Sequence, residues 1–353
     1  MELAVAAAAA QLSNPHAQHA FYASLTTRPR HDEQLASGAI SRAAEDPSLN
    51  RYSDCFPSNS HLAPTARGEY LNASLVLLRR AAAAPGVVVA AGPMAPEWHG
   101  PDTRAAFWGA VWANRVSLIV ALAPPAAGFQ GCAAYAVDGE FGDVSVELVE
   151  DVASVAAGLG GSAVERRLRL RKRGEREPRA VTQLEFRTWP NYGVDARGPA
   201  SVAALASRVG ELLPANGSGL LVHCAGGVGR SGAFATLASL WLDQAVLRGD
   251  SVFSGGAEGV LLEVRQRIEL FREQRHPYGV ESAVHTDPCC SFPKQSLLLI
   301  LQQTAMQEQA AIIVGALHLL LSPAPAGEAA ALLERIGQAA ESSMYRGPHR
   351  GGL

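Results

Sequence analysis

The chain has 353 residues, of which 48% are hydrophobic, so it is long enough to form one large or two small domains with a sizeable core. A formal net charge of −3 and a pI of about 6.4 exclude binding of nucleic acid through a globally basic surface. The five cysteines include no CxxC motif and no framework of spaced pairs, which favours free thiols in a reducing compartment. We therefore expect no metal and no other cofactor.

The N-terminal region, residues 1–45, is predicted to be a helical or partly disordered lead-in. Its first ten residues, Met1–Ala10, are apolar but lack the basic residues of a signal peptide, which favours an alanine-rich helix. Two short apolar runs follow, Val87–Ala90 and Ser117–Leu122, and both are typical of buried strands. Between them, Arg104–Asn114 has the spacing of a helix.

The next segment predicts a strongly basic β-hairpin. Arg167–Arg171 alternates between apolar and basic residues, Gly174 marks a turn, and Arg179–Arg187 forms the returning strand. Eight basic residues fall between Arg166 and Arg179. The solvated face of a strand explains this run better than a membrane or substrate-docking surface does.

Helical patterns then lie on both sides of an apolar run that ends at Cys224. They cover Ala200–Leu213, Gly232–Leu247 and Ala257–Gln274. Because helices alternate with strands along the chain, we predict an α/β fold in which a central, mixed, twisted sheet is flanked by helices.

The segment His223–Gly232 carries the strongest functional signal. Cys224 follows an apolar run, and Arg230 comes six positions later, with only small side chains and Val228 between them. The spacing predicts a strand that ends at the cysteine, a loop whose backbone N–H groups surround an anion, and a helix that begins near the arginine. The same positive field lowers the pKa of the thiol, which favours nucleophilic attack by the thiolate on a bound phosphate.

This H-C-x5-R-S-G pattern resembles the signature of the cysteine-based, tyrosine-specific protein tyrosine phosphatases of the non-receptor, single-domain type. The resemblance implies that the protein hydrolyses phosphotyrosine in proteins through a phosphocysteine intermediate, with Cys224 as the nucleophile. Arg230 and the loop would hold the phosphoryl oxygens, Ser231 would donate a hydrogen bond to the sulfur, and His223 would hold the loop and tune the thiol. The loop residues are Ala225, Gly226, Gly227, Val228 and Gly229.

Further segments extend the resemblance. Asn50–Asp54 is similar to the family's phosphotyrosine-recognition loop, in which Tyr52 would line a deep pocket and Asp54 would hold the substrate backbone. Glu69–Leu75 resembles the family's D-Y-I-N-A-S segment, and Arg272–Arg275 fits another family segment. The pocket depth would exclude phosphoserine, which is too short to reach the thiolate.

The main departure from the family lies in Thr188–Val194, which resembles the mobile T-W-P-D-x-G loop that closes over substrate. Trp189 is retained and would lie at the substrate, but Asn191 stands where the family has its general-acid aspartate. A carboxamide delivers no proton at neutral pH, so a loss of about 10²–10⁴-fold in rate is expected. Asp195, four residues on, is a candidate substitute.

Two other family positions also differ. Ala126 stands where the family has a glutamate that orients the signature arginine. The water-positioning glutamine corresponds either to Glu281 or, after an insertion, to a position near Gln295, and we prefer Gln295 as the second glutamine of that motif.

The sequence therefore predicts a catalytic domain over residues 46–303, followed by a helical appendage and disordered tail over 304–353. Two functions remain open, a phosphatase slowed by Asn191 and a phosphotyrosine-binding pseudophosphatase, with dual-specificity or lipid phosphatases and a sulfur transferase as minor alternatives. The expected partners are phosphotyrosine-containing proteins, with no nucleic acid. The chain has no predicted transmembrane segment, which favours a cytoplasmic signalling protein, and its oligomeric state is left open.

Overall fold

The computed structural model describes sixteen segments of the chain, and all structural statements concern these residues. They are 2–14, 16–17, 20–21, 24–25, 31–53, 55–78, 86–96, 100–126, 131–153, 159, 162–190, 199–213, 219–246, 255–277, 279–280 and 312–321.

Eight strands form a single mixed sheet. They are β1 (Ala73–Val76), β2 (Val87–Ala91), β3 (Leu118–Ala121), β4 (Gly139–Phe141), β5 (Val144–Ala153), β6 (Ala163–Lys172), β7 (Arg179–Phe186) and β8 (Leu220–Cys224). Their order across the sheet is β1-β2-β8-β3-β7-β6-β5-β4. The central pairs β2/β8, β8/β3 and β3/β7 are parallel, and the outer pairs are antiparallel. The predicted mixed sheet is confirmed.

Helices flank this sheet. They are α1 (Glu2–Leu12), α2 (His31–Ala36), α3 (Ser41–Ala44), α4 (Arg104–Ala113), α5 (Pro199–Leu212), α6 (Gly229–Val246), α7 (Gly256–Gln274) and α8 (residues 312–321), with 3₁₀ turns at Pro47–Leu49 and Asn59–His61. Among the described residues, no helix combines the length and the apolar character needed to cross a membrane.

The central strands read as continuous apolar runs because both of their faces are covered. Every residue of β2 and β8 is buried, as expected for parallel strands with helices on both sides of the sheet. Side chains alternate along each strand, so Val89 and Val222 join the core on the side of α5, α6 and α7. Val88 and Leu221 join a second core on the side of α4. The sheet thus holds the end of β8 rigidly between two packed layers.

The basic strand β6 is neutralised by its neighbour β5. Arg169 pairs with Glu147 at 2.9 Å, and Arg167 pairs with Glu150 at the same distance across the ladder. These side chains are largely exposed, and exposed ion pairs typically contribute up to about 1 kcal/mol. The structure therefore supports a solvated strand face here, and not a free basic docking surface.

Both ends of the described chain pack into the core. Val5 and Leu12 of α1 are buried in the core that α5, α6 and α7 cover, and α1 packs against α7. Ile313 and Leu317 of α8 are buried in the same cluster. Parts of the predicted lead-in and appendage therefore share a core with the domain between them, while the boundaries at 46 and 303 stay predictions.

Candidate active site

The junction between β8 and α6 forms a tight loop, as its spacing predicts. β8 ends at Cys224 and α6 begins at Gly229. Gly227 has a φ of 70°, and a Cβ there would collide with the backbone oxygen of Ala90 on the neighbouring strand. Only glycine meets both conditions without strain, because it lacks a side chain and tolerates positive φ. The loop is also tied to the end of β2, since Gly92 N donates to Ala225 O at 3.0 Å.

The sulfur of Cys224 lies inside this loop, where its thiolate is favoured. The side chain is only 4% exposed, and Gly227 N donates to Sγ at 3.2 Å. Burial raises the pKa of the Cys224 thiol, but the positive charge of Arg230, the nearby Ser231 and the hydrogen bond from Gly227 outweigh it, and the pKa is lowered overall. The surroundings of Cys224 therefore favour the ionised form of its sulfur.

Ser231, the third residue of α6, lies close to this sulfur. Its hydroxyl is fully buried and makes no hydrogen bond of full geometry to any described residue. It nevertheless lies near enough to Cys224 to help lower the pKa of the thiol. A small movement of either group would therefore bring the hydroxyl to the sulfur.

Two backbone carbonyls hold Arg230. Its Nη1 donates to Leu122 O at 2.8 Å and to Trp189 O at 3.1 Å. Ala126, at the position where a glutamate was expected, has no carboxylate to do this. The bond to Trp189, which is 2% exposed, ties the signature arginine to the start of the segment that contains Asn191.

His223 lies directly behind the loop in a neutral form. It is fully buried, with Nδ1 3.3 Å from Cys224 O and Nε2 2.5 Å from the Tyr135 hydroxyl. Burial lowers the pKa of His223 to about 4, and the positive charges of Arg230 and Arg51 act in the same direction. At neutral pH this histidine therefore holds the loop through hydrogen bonds and carries no charge.

Tyr52 lies against the rim of the loop. A Cβ on Gly226 would lie 3.0 Å from Cε2 of the Tyr52 ring and 3.8 Å from the sulfur of Cys55. The absence of a side chain at Gly226 therefore allows the ring to approach the loop backbone. This position is the one expected of a side chain that forms the wall of a pocket above Cys224.

Five other predicted positions lie outside the described residues. They are Asp54, Asn191, Asp195, Glu281 and Gln295. Their roles in acid catalysis, substrate contact and water positioning stay predictions. Among the described residues, the structure brings together Cys224, the loop, Arg230, His223 and Tyr52.

Side chains that were not predicted from the sequence hold the loop in place from outside. Arg275 donates through Nε to Gly227 O at 3.0 Å and through Nη2 to Gly226 O at 3.1 Å. The same Nη2 donates to Asn72 Oδ1 at 2.7 Å, and Asn72 Nδ2 donates to Asn50 Oδ1 at 2.8 Å. This network joins the loop of residues 225–229 to the segment that carries Tyr52. The signal was the resemblance of Arg272–Arg275 and Glu69–Leu75 to family segments.

The arrangement has the parts needed for covalent transfer of a phosphoryl group to sulfur. The Cys224 sulfur, whose pKa is lowered, accepts from the backbone N–H of Gly227 and lies before the N-terminus of an 18-residue helix, near the guanidinium of Arg230. Among the described residues, no group of three or more His, Cys, Asp or Glu side chains could hold a metal ion. These features define the class of the domain as a cysteine-dependent phosphatase fold.

Comparisons with known proteins agree with this class. The sequence profile of the family described as Protein-tyrosine phosphatase matches residues 46–278. Tyrosine-protein phosphatase 1 of Dictyostelium discoideum is 28% identical over 54% of this chain, and Tyrosine-protein phosphatase non-receptor type 23 of Mus musculus is 31% identical over 64% of it. The chain spans 38% and 13% of the lengths of these two relatives. It belongs to the protein-tyrosine phosphatase family.

A solved structure supports the fold independently. A structure of PTPN18, from work on its fingerprint on distinct HER2 tyrosine phosphorylation sites, matches with a TM-score of 0.61. The match covers 81% of this chain and 89% of that chain, at 18% sequence identity. The two chains therefore share a fold.

Proposed function

We propose that this protein hydrolyses phosphotyrosine in proteins, and that Cys224 carries the reaction. The observation behind this proposal is the buried Cys224 thiol, whose pKa is lowered in a loop of backbone donors beside Arg230. The sulfur attacks phosphorus, an S–P bond forms, and the bond from phosphorus to the tyrosyl oxygen breaks. Water then attacks the phosphocysteine and releases inorganic phosphate and the thiolate.

In this mechanism the residues around Cys224 stabilise negative charge and hold the loop in place. Arg230 and the amides of loop residues 225–229 hold the phosphoryl oxygens, whose charge they stabilise in the transition state. Ser231 donates to the sulfur as it leaves phosphorus in the second step. His223 holds the carbonyl of Cys224 and thereby the geometry of the loop. A residue near Gln295, or else Glu281, would position the water.

The substrate class follows from the wall of the pocket. Tyr52 lies against Gly226 at the loop rim, where its ring would pack on the substrate ring and make the pocket deep. Trp189 and Asp54 would complete the contacts with the peptide. The named relatives are tyrosine-protein phosphatases, and the matched PTPN18 structure comes from work on tyrosine phosphorylation sites. These comparisons support phosphotyrosine peptides as substrates.

Asn191 favours a slow enzyme, and it also supports a second function. Without a proton donor at this position, the tyrosyl oxygen leaves with little assistance, unless Asp195 supplies the proton. Ala126 is a second departure from the family at the site. A phosphotyrosine-binding pseudophosphatase would use the same bowl, Arg230 and Tyr52 without turnover.

One experiment separates these two functions. Turnover of a phosphotyrosine peptide is measured for the wild type, Asn191→Asp and Cys224→Ser. We expect slow turnover by the wild type, a rise in kcat by up to about 10²–10⁴-fold in Asn191→Asp, and no turnover but retained peptide binding in Cys224→Ser. Full activity of Cys224→Ser would refute the assignment of the nucleophile. Peptide binding with no turnover by the wild type or Asn191→Asp would establish the pseudophosphatase.

We extend the proposal to the domain organisation of the chain and to its cellular location. The profile match over residues 46–278 supports a catalytic domain over about 46–303, and the described helices α1 and α8 pack on its core. The relative of non-receptor type supports a cytoplasmic protein that acts in signalling.

A further inference from the structure

A series of hydrogen bonds runs from Arg166 of β6 to the backbone carbonyl of Cys224, where the loop between β8 and α6 begins. Arg166 Nη1 donates to Gln183 Oε1 at 2.8 Å, and Gln183 Nε2 donates to the Tyr135 hydroxyl at 2.7 Å. The hydroxyl lies 2.5 Å from His223 Nε2, and His223 Nδ1 lies 3.3 Å from Cys224 O. Gln183, Tyr135 and His223 are all at most 1% exposed, so water does not complete their hydrogen bonds from outside.

The direction of these hydrogen bonds is determined by Arg166. A guanidinium only donates, so the oxygen of the Gln183 amide must face it and the amide nitrogen must face Tyr135. The tyrosine oxygen then accepts from Gln183, and its single proton is left to donate to His223 Nε2. Since a neutral imidazole carries one proton, that proton lies on Nδ1, opposite the carbonyl of Cys224.

Arg166 is itself held in place by acidic groups. It pairs with Glu185, which is 1% exposed, and with Asp151 at the surface at 3.1 Å. Glu185 also pairs with Arg187. The strand order explains how these hydrogen bonds extend from Arg166 to Cys224, because β7 lies beside β3, and β3 lies beside the cysteine strand β8. Arg166, which can only donate, is therefore fixed in the sheet at one end of the hydrogen-bonded series.

We propose that Gln183, oriented by Arg166, is a positioning residue that keeps the proton of His223 on Nδ1 and so holds the Cys224 carbonyl at the base of the loop. This inference rests on the proposed function. With the proton on Nε2, a lone pair of Nδ1 would face a carbonyl oxygen at 3.3 Å, and the resulting repulsion would move the start of the loop. The lowered pKa of His223, which keeps the ring neutral, agrees with a single proton on the ring.

Two nearly isosteric variants separate this role from simple packing. Gln183→Glu, measured at a pH at which the new carboxylate is ionised, replaces the amide donor with an acceptor that lies beside Arg166. Tyr135 then donates to the carboxylate, and the His223 proton moves to Nε2. Gln183→Met removes the amide without introducing an acceptor. Tyr135 is then free to donate to His223, and the Cys224 carbonyl, 3.3 Å from Nδ1, is the group that still favours a proton on Nδ1.

The tautomer is read directly from the ¹⁵N chemical shifts of the His223 ring in the full chain. We expect a protonated Nδ1 in the wild type and in Gln183→Met, and a protonated Nε2 in Gln183→Glu. With an aryl phosphate substrate, kcat of Gln183→Glu should fall about tenfold or more below that of Gln183→Met with little change in KM, within the roughly 10²-fold that a displacement of about 1 Å costs.

Several results would overturn the inference. A wild type with the proton on Nε2 refutes it without any variant, even if Gln183→Glu does not fold. An unchanged tautomer in folded Gln183→Glu refutes the role of Gln183, as does an equal loss of kcat in both variants. The tautomer is measured whether or not the protein turns over substrate, so failure of the proposed function would appear separately, as no turnover in any sample.

Discussion

Replacing Arg275 with methionine should destabilise the protein and impair its site, because this buried guanidinium holds two carbonyls of the loop. Its Nε and Nη2 make three hydrogen bonds, to Gly227 O, Gly226 O and Asn72 Oδ1. Hydrogen bonds to a charged group contribute about 1.5–3 kcal/mol each, or roughly 4.5–9 kcal/mol for three. Burial of the cation offsets several kcal/mol of this, and Nη1 makes no hydrogen bond to any described residue. We expect the free energy of unfolding to fall by about 3 kcal/mol.

The assay is urea unfolding followed by tryptophan fluorescence, with kcat/KM measured on an aryl phosphate. Arg275→Met should lose up to about 10²-fold in kcat/KM, since the loop amides are no longer held in place. Arg275→Lys keeps the charge but not the fork of donors. Its free energy of unfolding and its kcat/KM should lie between those of the wild type and those of Arg275→Met. The matched control is Arg169→Met, which removes an exposed arginine that pairs with Glu147, and it should cost at most about 1 kcal/mol. The reasoning would be refuted if Arg275→Met unfolded within about 0.5 kcal/mol of the wild type.

Two other predictions concern the pocket and its thiols. The pKa of Cys224 is lowered, whereas burial raises the pKa of Cys132 to about 12, so iodoacetamide at pH 7 should alkylate Cys224 and leave Cys132 free in peptide mass spectra. Equal labelling of both thiols would contradict the pKa assignments. Tyr52→Ala should raise KM for a phosphotyrosine peptide by about tenfold, as the loss of one aromatic contact of about 1.5 kcal/mol implies, with a smaller effect on a small aryl phosphate. Efficient turnover of a phosphoserine peptide by the wild type would argue against a deep pocket.

The sequence alone was sufficient for the elements whose pattern is local. The buried strands at Val87–Ala91 and Leu118–Ala121 and the helix at Arg104–Ala113 are found where their apolar runs and spacing predict. The loop after Cys224 was equally clear, because a strand end, three glycines and an arginine at fixed spacing specify a single local backbone. By contrast, β5 (Val144–Ala153) was not predicted, since it is an outer strand on which acidic residues pair with the arginines of β6.

Only the tertiary structure decided which distant side chains support the loop. Arg275 reaches Gly226 and Gly227 from 49 and 48 residues away, and Tyr135 meets His223 across 88 residues. Nothing in the spacing of these residues encodes their contact, because it depends on the order of strands in the sheet. Local sequence determines backbone dihedrals and which face is buried, whereas the partners of a buried polar group are set by the elements that packing brings beside it.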